Sequence, residues 1–274
     1  PSSLEGQRSI NSIRDLKITT TDTSGTGVGL LIDRGLPING IRHPQDTIWS
    51  VDIAGVSLGV SYFGIGMRLV NSRSPRIGYC DFFGYWSTNV SGTYAIEFAG
   101  QTMNPKVFDC QASGFEKFIY SNGNNEGIQV VQCQAVLIKT AVHIIGDPVG
   151  RPQMFILNNH FNSMTSGVEI EECSNVIISN NLLISAAQGG GFTPAAAYVG
   201  YRLKSTVSGM VAVLSKNIVS GTQAITETGF KIEGAIGSLM LSENQAVGVN
   251  GVGYDIDPLN SSFEAWGNTY PGAT

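Results

Sequence analysis

Charge is scarce in this chain, and the two signs are nearly balanced. Of 274 residues only 14% are charged, with 16 Lys and Arg against 21 Asp and Glu, so the formal net charge is −5. A surface that binds the phosphates of nucleic acid needs clustered Lys and Arg. We therefore expect no nucleic-acid partner.

Long apolar runs are also missing. No stretch approaches the ~20 apolar residues of a membrane-spanning helix, and the start lacks the basic and apolar segments of a signal peptide. The sequence predicts no insertion into a membrane. Because the chain begins at Pro1 rather than Met, we expect a processed product or a fragment of a longer protein.

Cysteine is the third shortage. The four cysteines are Cys80, Cys110, Cys133 and Cys173, and no two of them form a CxxC pair. This number and spacing argue against a disulfide framework and against a thiolate metal site. We predict small buried thiols, assembly in a reducing cytoplasm, and no metal or cofactor.

Glycine is abundant, at 34 residues, and a short alternating motif appears nine times. Each copy is an apolar-x-apolar step, the pattern of a strand with one buried face. The copies are Leu30/Ile32, Met67/Leu69, Ile96/Phe98, Phe118/Tyr120, Val142/Ile144, Val168/Ile170, Tyr201/Leu203, Phe230/Ile232 and Tyr254/Ile256. Intervals of 22 to 37 residues between copies indicate a solenoid of stacked coils.

A second set of positions repeats with matching intervals. Its members are Cys80, Cys110, Cys133, Asn159, Asn181, Asn217, Asn244 and Asn268. Stacked Asn side chains can hydrogen-bond to one another and to the backbone of a buried turn. We therefore predict an asparagine ladder that apolar cysteine packing replaces in the early coils.

The sequence segments around this ladder, above all NVIISNNLLIS at 175–185, resemble those of the right-handed parallel β-helix family. That family includes pectate-lyase-like enzymes and bacteriophage tailspikes. The resemblance covers about residues 10–270. It implies an all-β chain forming a right-handed, single-stranded parallel β-helix of about nine to ten coils. We interpret 1–274 as one such domain, with 1–12 as a polar lead-in.

Candidate chemistry lies at the outward positions of the repeated strands. If Val168 and Ile170 point inward, Glu169 and Glu171 point outward, ~6.6–6.8 Å apart along the strand, a spacing that an inverting glycosidase can use. Aligning the coils gives one outward row of Arg68, Glu97, Ile119, His143, Glu169, Arg202, Lys231 and Asp255. It gives a second row of Val70, Ala99, Ser121, Ile145, Glu171, Lys204, Glu233 and Asp257.

These rows support two interpretations. In the catalytic interpretation, Glu169 and Glu171 are the acid and base of a hydrolase, with His143 beside them and Arg202 orienting the substrate. A lyase would instead use Arg202 or Lys204 to take the proton α to a uronate carboxylate. In the structural one, opposite charges on neighbouring strands only pair with each other. A charged outer face accounts for the rows without catalysis.

A second candidate patch combines Asp81, Asp109 and Glu97 with the aromatic residues Trp86 and Tyr94. Aromatic rings beside small polar residues suit a sugar surface, because C–H faces pack on the ring and hydroxyls find polar partners. An enzyme predicts that some of the carboxylates lie free of ion pairs in a groove lined by Trp86 or Tyr94. A pure binding protein predicts that all of them are neutralised.

For function, the resemblance implies a phage tailspike-type receptor-binding protein that binds, and as its leading enzymatic activity hydrolyses, a bacterial surface polysaccharide such as capsule or O-antigen. It further implies a side-by-side homotrimer in the virion tail, assembled in the host cytoplasm and acting at the bacterial surface. The alternatives are a non-catalytic structural or receptor-binding spike module and a polysaccharide lyase or epimerase. The resemblance assigns no residue a catalytic role.

Overall fold

The computed structural model describes residues 11–35, 45–57, 60–85, 91–123, 125–147, 153–186, 196–222, 225–257 and 262–271. These residues form 22 β-strands and no helix, and therefore contain none long and apolar enough to cross a membrane. The strands are β1 (Asn11–Thr20), β2 (Val28–Asp33), β3 (Gln45–Gly55), β4 (Ile65–Val70), β5 (Arg73–Gly78), β6 (Asp81–Phe83), β7 (Tyr94–Ala99), β8 (Lys106–Phe108), β9 (Gln111–Ser113), β10 (Lys117–Asn122), β11 (Ile128–Val131), β12 (Gln134–Ile145), β13 (Gln153–Leu157), β14 (His160–Glu171), β15 (Asn175–Ser179), β16 (Leu182–Ser185), β17 (Ala197–Ser215), β18 (Ile218–Ser220), β19 (Thr226–Ser242), β20 (Gln245–Val247), β21 (Gly251–Ile256) and β22 (Phe263–Trp266).

Every strand pairs in parallel with strands one coil away, and the pairs form three columns along the rod. Column 1 contains β2, β4, β7, β10, the second halves of β12 and β14, the first halves of β17 and β19, and β21. Column 2 runs from the first halves of β1 and β3 through β5, β8, β11, β13 and β15 to the second halves of β17 and β19, and β22. Column 3 contains the second halves of β1 and β3, then β6, β9, the first halves of β12 and β14, β16, β18 and β20. The chain is an all-β parallel β-helix, as predicted, and β1 begins within the predicted lead-in.

A small residue precedes the repeated motif of column 1 in all but one of the nine copies. The residues at this position are Gly29, Gly66, Ala95, Phe118, Ala141, Gly167, Gly200, Gly229 and Gly253. A Cβ added at Gly200 would lie 2.6 Å from Val219, and one added at Gly167 would lie 2.2 Å from Leu183. Column 3 side chains therefore fill the space that a larger residue would need.

One predicted register is wrong. We expected Phe118 and Tyr120 to be the inward pair, but Ile119 aligns with Ile96 and Ser121 with Phe98. Ile119 and Ser121 are fully buried. Tyr120 replaces Ile119 in the first outward row, and Asn122 replaces Ser121 in the second.

The physical reason for this error lies in the size of Phe118. Phe118 occupies the position that is Gly or Ala in the other coils, so a search for apolar steps places the motif one residue early. In column 3, Val219 pairs with Leu183, Leu183 with Phe161, and Phe161 with Ala135. Ala135 therefore has the same place relative to Phe118 that Val219 has relative to Gly200. Its small side chain leaves room for the buried ring of Phe118.

The predicted asparagine ladder is confirmed. Side-chain Nδ2 groups donate to the Oδ1 of the next rung at 2.8–3.0 Å, from Asn159 through Asn181, Asn217 and Asn244 to Asn268. Each of these five amides also donates to a backbone carbonyl of the preceding coil at 2.8–3.0 Å. The ladder therefore satisfies buried backbone groups that would otherwise lack partners.

Cysteine occupies the same position in three earlier coils, where Cys80, Cys110 and Cys133 are buried and free. Burial raises the pKa of the Cys110 thiol well above its ordinary value, which keeps it protonated. The residue before each of these cysteines and ladder asparagines has a left-handed backbone conformation, with φ between 51° and 62° from Tyr79 through to Gly267. Asp15 and Ser50 have the same conformation, so Leu16 and Val51 occupy the equivalent position in the first two coils. The sequence pattern did not identify these two apolar members.

Candidate functional site

The outward face of column 1 carries most of the predicted candidates. Its charged side chains lie on neighbouring coils in register, and we call them the charged strip: Arg68, Glu97, His143, Glu169, Glu171, Arg202, Lys204, Lys231 and Glu233. The structure thus brings His143, Glu169, Glu171, Arg202 and Lys204 together, and places Glu97 on the same face.

Most charges of the strip are paired. Arg68 Nε lies 2.5 Å from Glu97 Oε2, and Lys204 Nζ lies 3.4 Å from Glu171 Oε2. Arg202 is in register with Glu169, but its Nε reaches diagonally to Glu233 Oε2 at 2.5 Å. These pairs are partly exposed and each contributes ~0–1 kcal/mol, so they position side chains more than they stabilise the fold.

His143 lies between the two predicted catalytic carboxylates. Its Nε2 is 3.4 Å from Glu171 Oε1 and 3.8 Å from Glu169 Oε2. An inverting glycosidase needs a water between its general acid and base, and here the imidazole takes that place. The arrangement of Glu169 and Glu171 therefore favours the structural interpretation over the catalytic one.

The environment of His143 gives a testable pH dependence. Burial lowers the pKa of His143, Glu169 and Glu171 oppose this effect, and Lys117 adds to it. Since the unfolded side chain binds a proton at higher pH than the folded one, the free energy of unfolding should fall as pH drops below about 6.5. His143→Gln should flatten this slope, measured by denaturant unfolding at a series of pH values.

His160 is exposed on column 3, and His160→Gln is the matched control. The control should keep the slope of the wild-type chain between pH about 7 and pH about 5. A wild-type slope that survives in His143→Gln would show that other groups cause the acid sensitivity.

An aromatic cluster adjoins the charged strip. The rings of Tyr94 and Tyr120 stack with centroids 4.4 Å apart, and we call them the tyrosine pair. The Nζ of Lys117 lies 4.3 Å from the Tyr120 centroid and 5.3 Å from that of Tyr94, while His143 lies 5.7 Å from Tyr120. Both tyrosines are half-buried, so each side chain keeps some contact with solvent.

Sequence reasoning found Tyr94 but missed Tyr120 and Lys117. The error in register at Phe118 turned Tyr120 inward and so removed it from consideration. Aligning the coils on the small residue before the motif, rather than on the apolar step, would have shown that one coil departs from the pattern. That signal was available in the sequence.

The second predicted patch is divided between faces. Asp81 lies on column 3, Asp109 lies in the turn before column 3, and Glu97 lies on column 1. The structure therefore does not place Glu97 with the two aspartates. Trp86 lies outside the described residues.

Asp81 has a neighbour that the sequence analysis missed. Asp52 is its register partner on the preceding coil, and Gln111 is its partner on the following one. Burial and the nearby Asp52 both raise the pKa of Asp81. Within the described part of the chain, neither aspartate has a salt bridge. The similar segments VDIAG at 51–55 and CDFFG at 80–84, each with Asp second and Gly last, would have revealed this pair.

No group of three or more His, Cys, Asp or Glu among the described residues can hold a metal ion. Comparisons with protein-family models, with curated proteins and with solved structures find no match. The geometry of the rod is therefore the basis for the function proposed below. The homotrimer and the virion location implied by the resemblance stay predictions.

Proposed function

We propose that this chain is the body of a phage tailspike-type receptor-binding protein that binds a bacterial surface polysaccharide, capsule or O-antigen, along column 1. The tyrosine pair, half-buried beside the charged strip, carries the proposal. Sugar C–H groups pack against aromatic rings, and hydroxyl groups hydrogen-bond to charged and polar side chains. The tyrosine pair and the charged strip together offer both kinds of contact along column 1.

The stacked coils also suit a polymeric ligand. Outward positions recur every ~4.8 Å along the column, so a linear polysaccharide can contact side chains of several successive coils. Ion pairs such as Arg68 with Glu97 and Lys204 with Glu171 hold these side chains in place. A surface that is ordered before binding loses less conformational entropy when the ligand binds.

An array of purified capsule and O-antigen polysaccharides tests this proposal. Tyr120→Ala should weaken binding of the best ligand by tenfold to thirtyfold, about 1.4–2 kcal/mol, because an aromatic anchor is lost. Tyr79 is an exposed tyrosine in a left-handed turn away from column 1. Tyr79→Asn, which suits that turn, is the control and should bind as the wild type does.

Two results would contradict the proposal. The first is a wild-type chain that binds no polysaccharide of the array. The second is equal binding by the wild type and Tyr120→Ala, which would move the site away from the tyrosine pair.

Hydrolysis of a polysaccharide at the outward side of column 3 is a second candidate function, favoured by Asp52 and Asp81. Neighbouring strands lie ~4.7–4.9 Å apart, and retaining glycosidases hold their two carboxyl groups ≈5–5.5 Å apart. The raised pKa of Asp81 suits the general acid, and the more exposed Asp52 suits the nucleophile.

In this mechanism Asp81 gives its proton to the glycosidic oxygen, which leaves with the bonding electrons. An oxygen of Asp52 bonds to the anomeric carbon and forms an ester. Asp81 then takes a proton from water, whose oxygen attacks the same carbon and releases Asp52. The products are two saccharides, one with a new reducing end.

A further inference from the structure

Lys117 differs from the cations of the charged strip. Arg68, Arg202, Lys204 and Lys231 each lie within 4.0 Å of a carboxylate. In the part of the chain that the structure describes, Lys117 has no such partner, and its ammonium group lies over the rings of Tyr94 and Tyr120. The contacts of its ammonium group are therefore cation–π contacts rather than a salt bridge.

The carboxylates nearest to the tyrosine pair are already engaged. Glu97 accepts a hydrogen bond from Arg68. Glu116, which precedes Lys117 in the chain, accepts one from the backbone N–H of Gly92. The charge of Lys117 acts instead on His143, where it contributes to the lowered pKa. Glu97 and Glu116 thus have hydrogen-bond donors other than Lys117, and the ammonium group of Lys117 is left to meet the carboxylate of a ligand.

We propose that the tyrosine pair and Lys117 form a subsite for an acidic sugar, with the sugar ring against Tyr94 and Tyr120 and its carboxylate on Lys117. The inference rests on the proposed polysaccharide binding and adds its substrate class, which is a polymer containing uronic acid or another carboxylated sugar. A carboxylate forms a charge-assisted hydrogen bond with the ammonium group, and a neutral hydroxyl forms a weaker one. Acidic polymers should therefore bind in preference to neutral ones.

The test is an array on which each acidic capsule or O-antigen polysaccharide is printed in native and in carboxyl-reduced form. Carboxyl reduction converts the carboxylate to a hydroxymethyl group and leaves the linkages intact. Wild-type binding should fall about tenfold or more on reduction, which corresponds to about 1.4 kcal/mol. Lys117→Gln should bind the native and reduced forms alike, and Lys117→Arg should keep the preference.

Lys106 supplies the matched control. It is half-buried on column 2, and Lys106→Gln removes one positive charge without changing column 1. This variant should keep the wild-type preference for native polymers. A preference lost equally in Lys106→Gln and Lys117→Gln would reflect net charge and would overturn the subsite.

The remaining outcomes separate the inference from the proposed function. Equal wild-type binding to native and reduced polymers, or a preference for neutral ones, overturns the acidic subsite while polysaccharide binding stands. A preference that persists in Lys117→Gln overturns it as well. Absence of binding to every polymer contradicts the proposed function and this inference with it.

Discussion

Asn217→Ala is expected to lower the free energy of unfolding by about 4 kcal/mol, because at least two buried polar groups lose their partners at ~1–3 kcal/mol each. Asn217 is fully buried. Its Nδ2 donates to the carbonyl of Ile178, and its Oδ1 accepts from the backbone and the side chain of Asn181. Alanine can replace none of these bonds. Denaturant unfolding followed by circular dichroism measures the loss.

Cys110→Ala is the matched control, since Cys110 occupies the same turn position four coils earlier. Its thiol lies 3.4 Å from the carbonyl of Phe108 and makes no amide ladder. Its replacement should cost only about 1 kcal/mol, the loss of one buried heavy atom and its contacts. Equal losses at the two positions would show that the asparagine amides contribute no more than packing does.

Asp81→Asn is expected to reduce polysaccharide hydrolysis by about 10²–10⁴-fold, the effect of losing a general acid. Binding should change little, because Asp81 lies on column 3 and the tyrosine pair on column 1. The assay follows reducing ends together with absorbance near about 235 nm, at which the double bond formed by a lyase would absorb. Hydrolysis by acid and nucleophile predicts reducing ends without that absorbance.

Two further variants locate the chemistry. Asp109→Asn changes an aspartate in the left-handed turn, a conformation that Asn tolerates, and should leave the rate unchanged. Glu169→Gln should also leave it unchanged, because His143 lies between Glu169 and Glu171. A wild-type chain that releases no reducing ends would contradict hydrolysis and leave a binding protein, and absorbance would indicate a lyase.

The sequence predicted the fold well because a parallel β-helix repeats its physical requirements in every coil. The apolar step of Val168 and Ile170 and the buried amide of Asn181 recur at matching intervals, so two independent patterns supported one architecture. The failure at Phe118 shows the limit of this reasoning. Which residue points inward there depends on the size of Ala135, which follows in column 3 of the same coil, and the apolar step alone does not contain that information.

The site was predicted less completely than the fold. Register alone placed Glu169 beside Arg202 and Glu171 beside Lys204, and the structure confirms both alignments. Side-chain reach is not set by register, so the diagonal pair of Arg202 with Glu233 was missed. The insertion of His143 between two carboxylates likewise depends on rotamers that the sequence does not specify.

The most direct test of the account is hydroxyl-radical footprinting of the chain with and without the polysaccharide that it binds best, read by mass spectrometry. Binding along column 1 predicts that oxidation of Tyr94 and Tyr120 falls while that of Tyr79 stays the same. A polymer that the chain does not bind serves as the radical-scavenging control. Protection of Tyr79 with no change at the tyrosine pair would contradict the central claim, because it would place the ligand on another face of the rod.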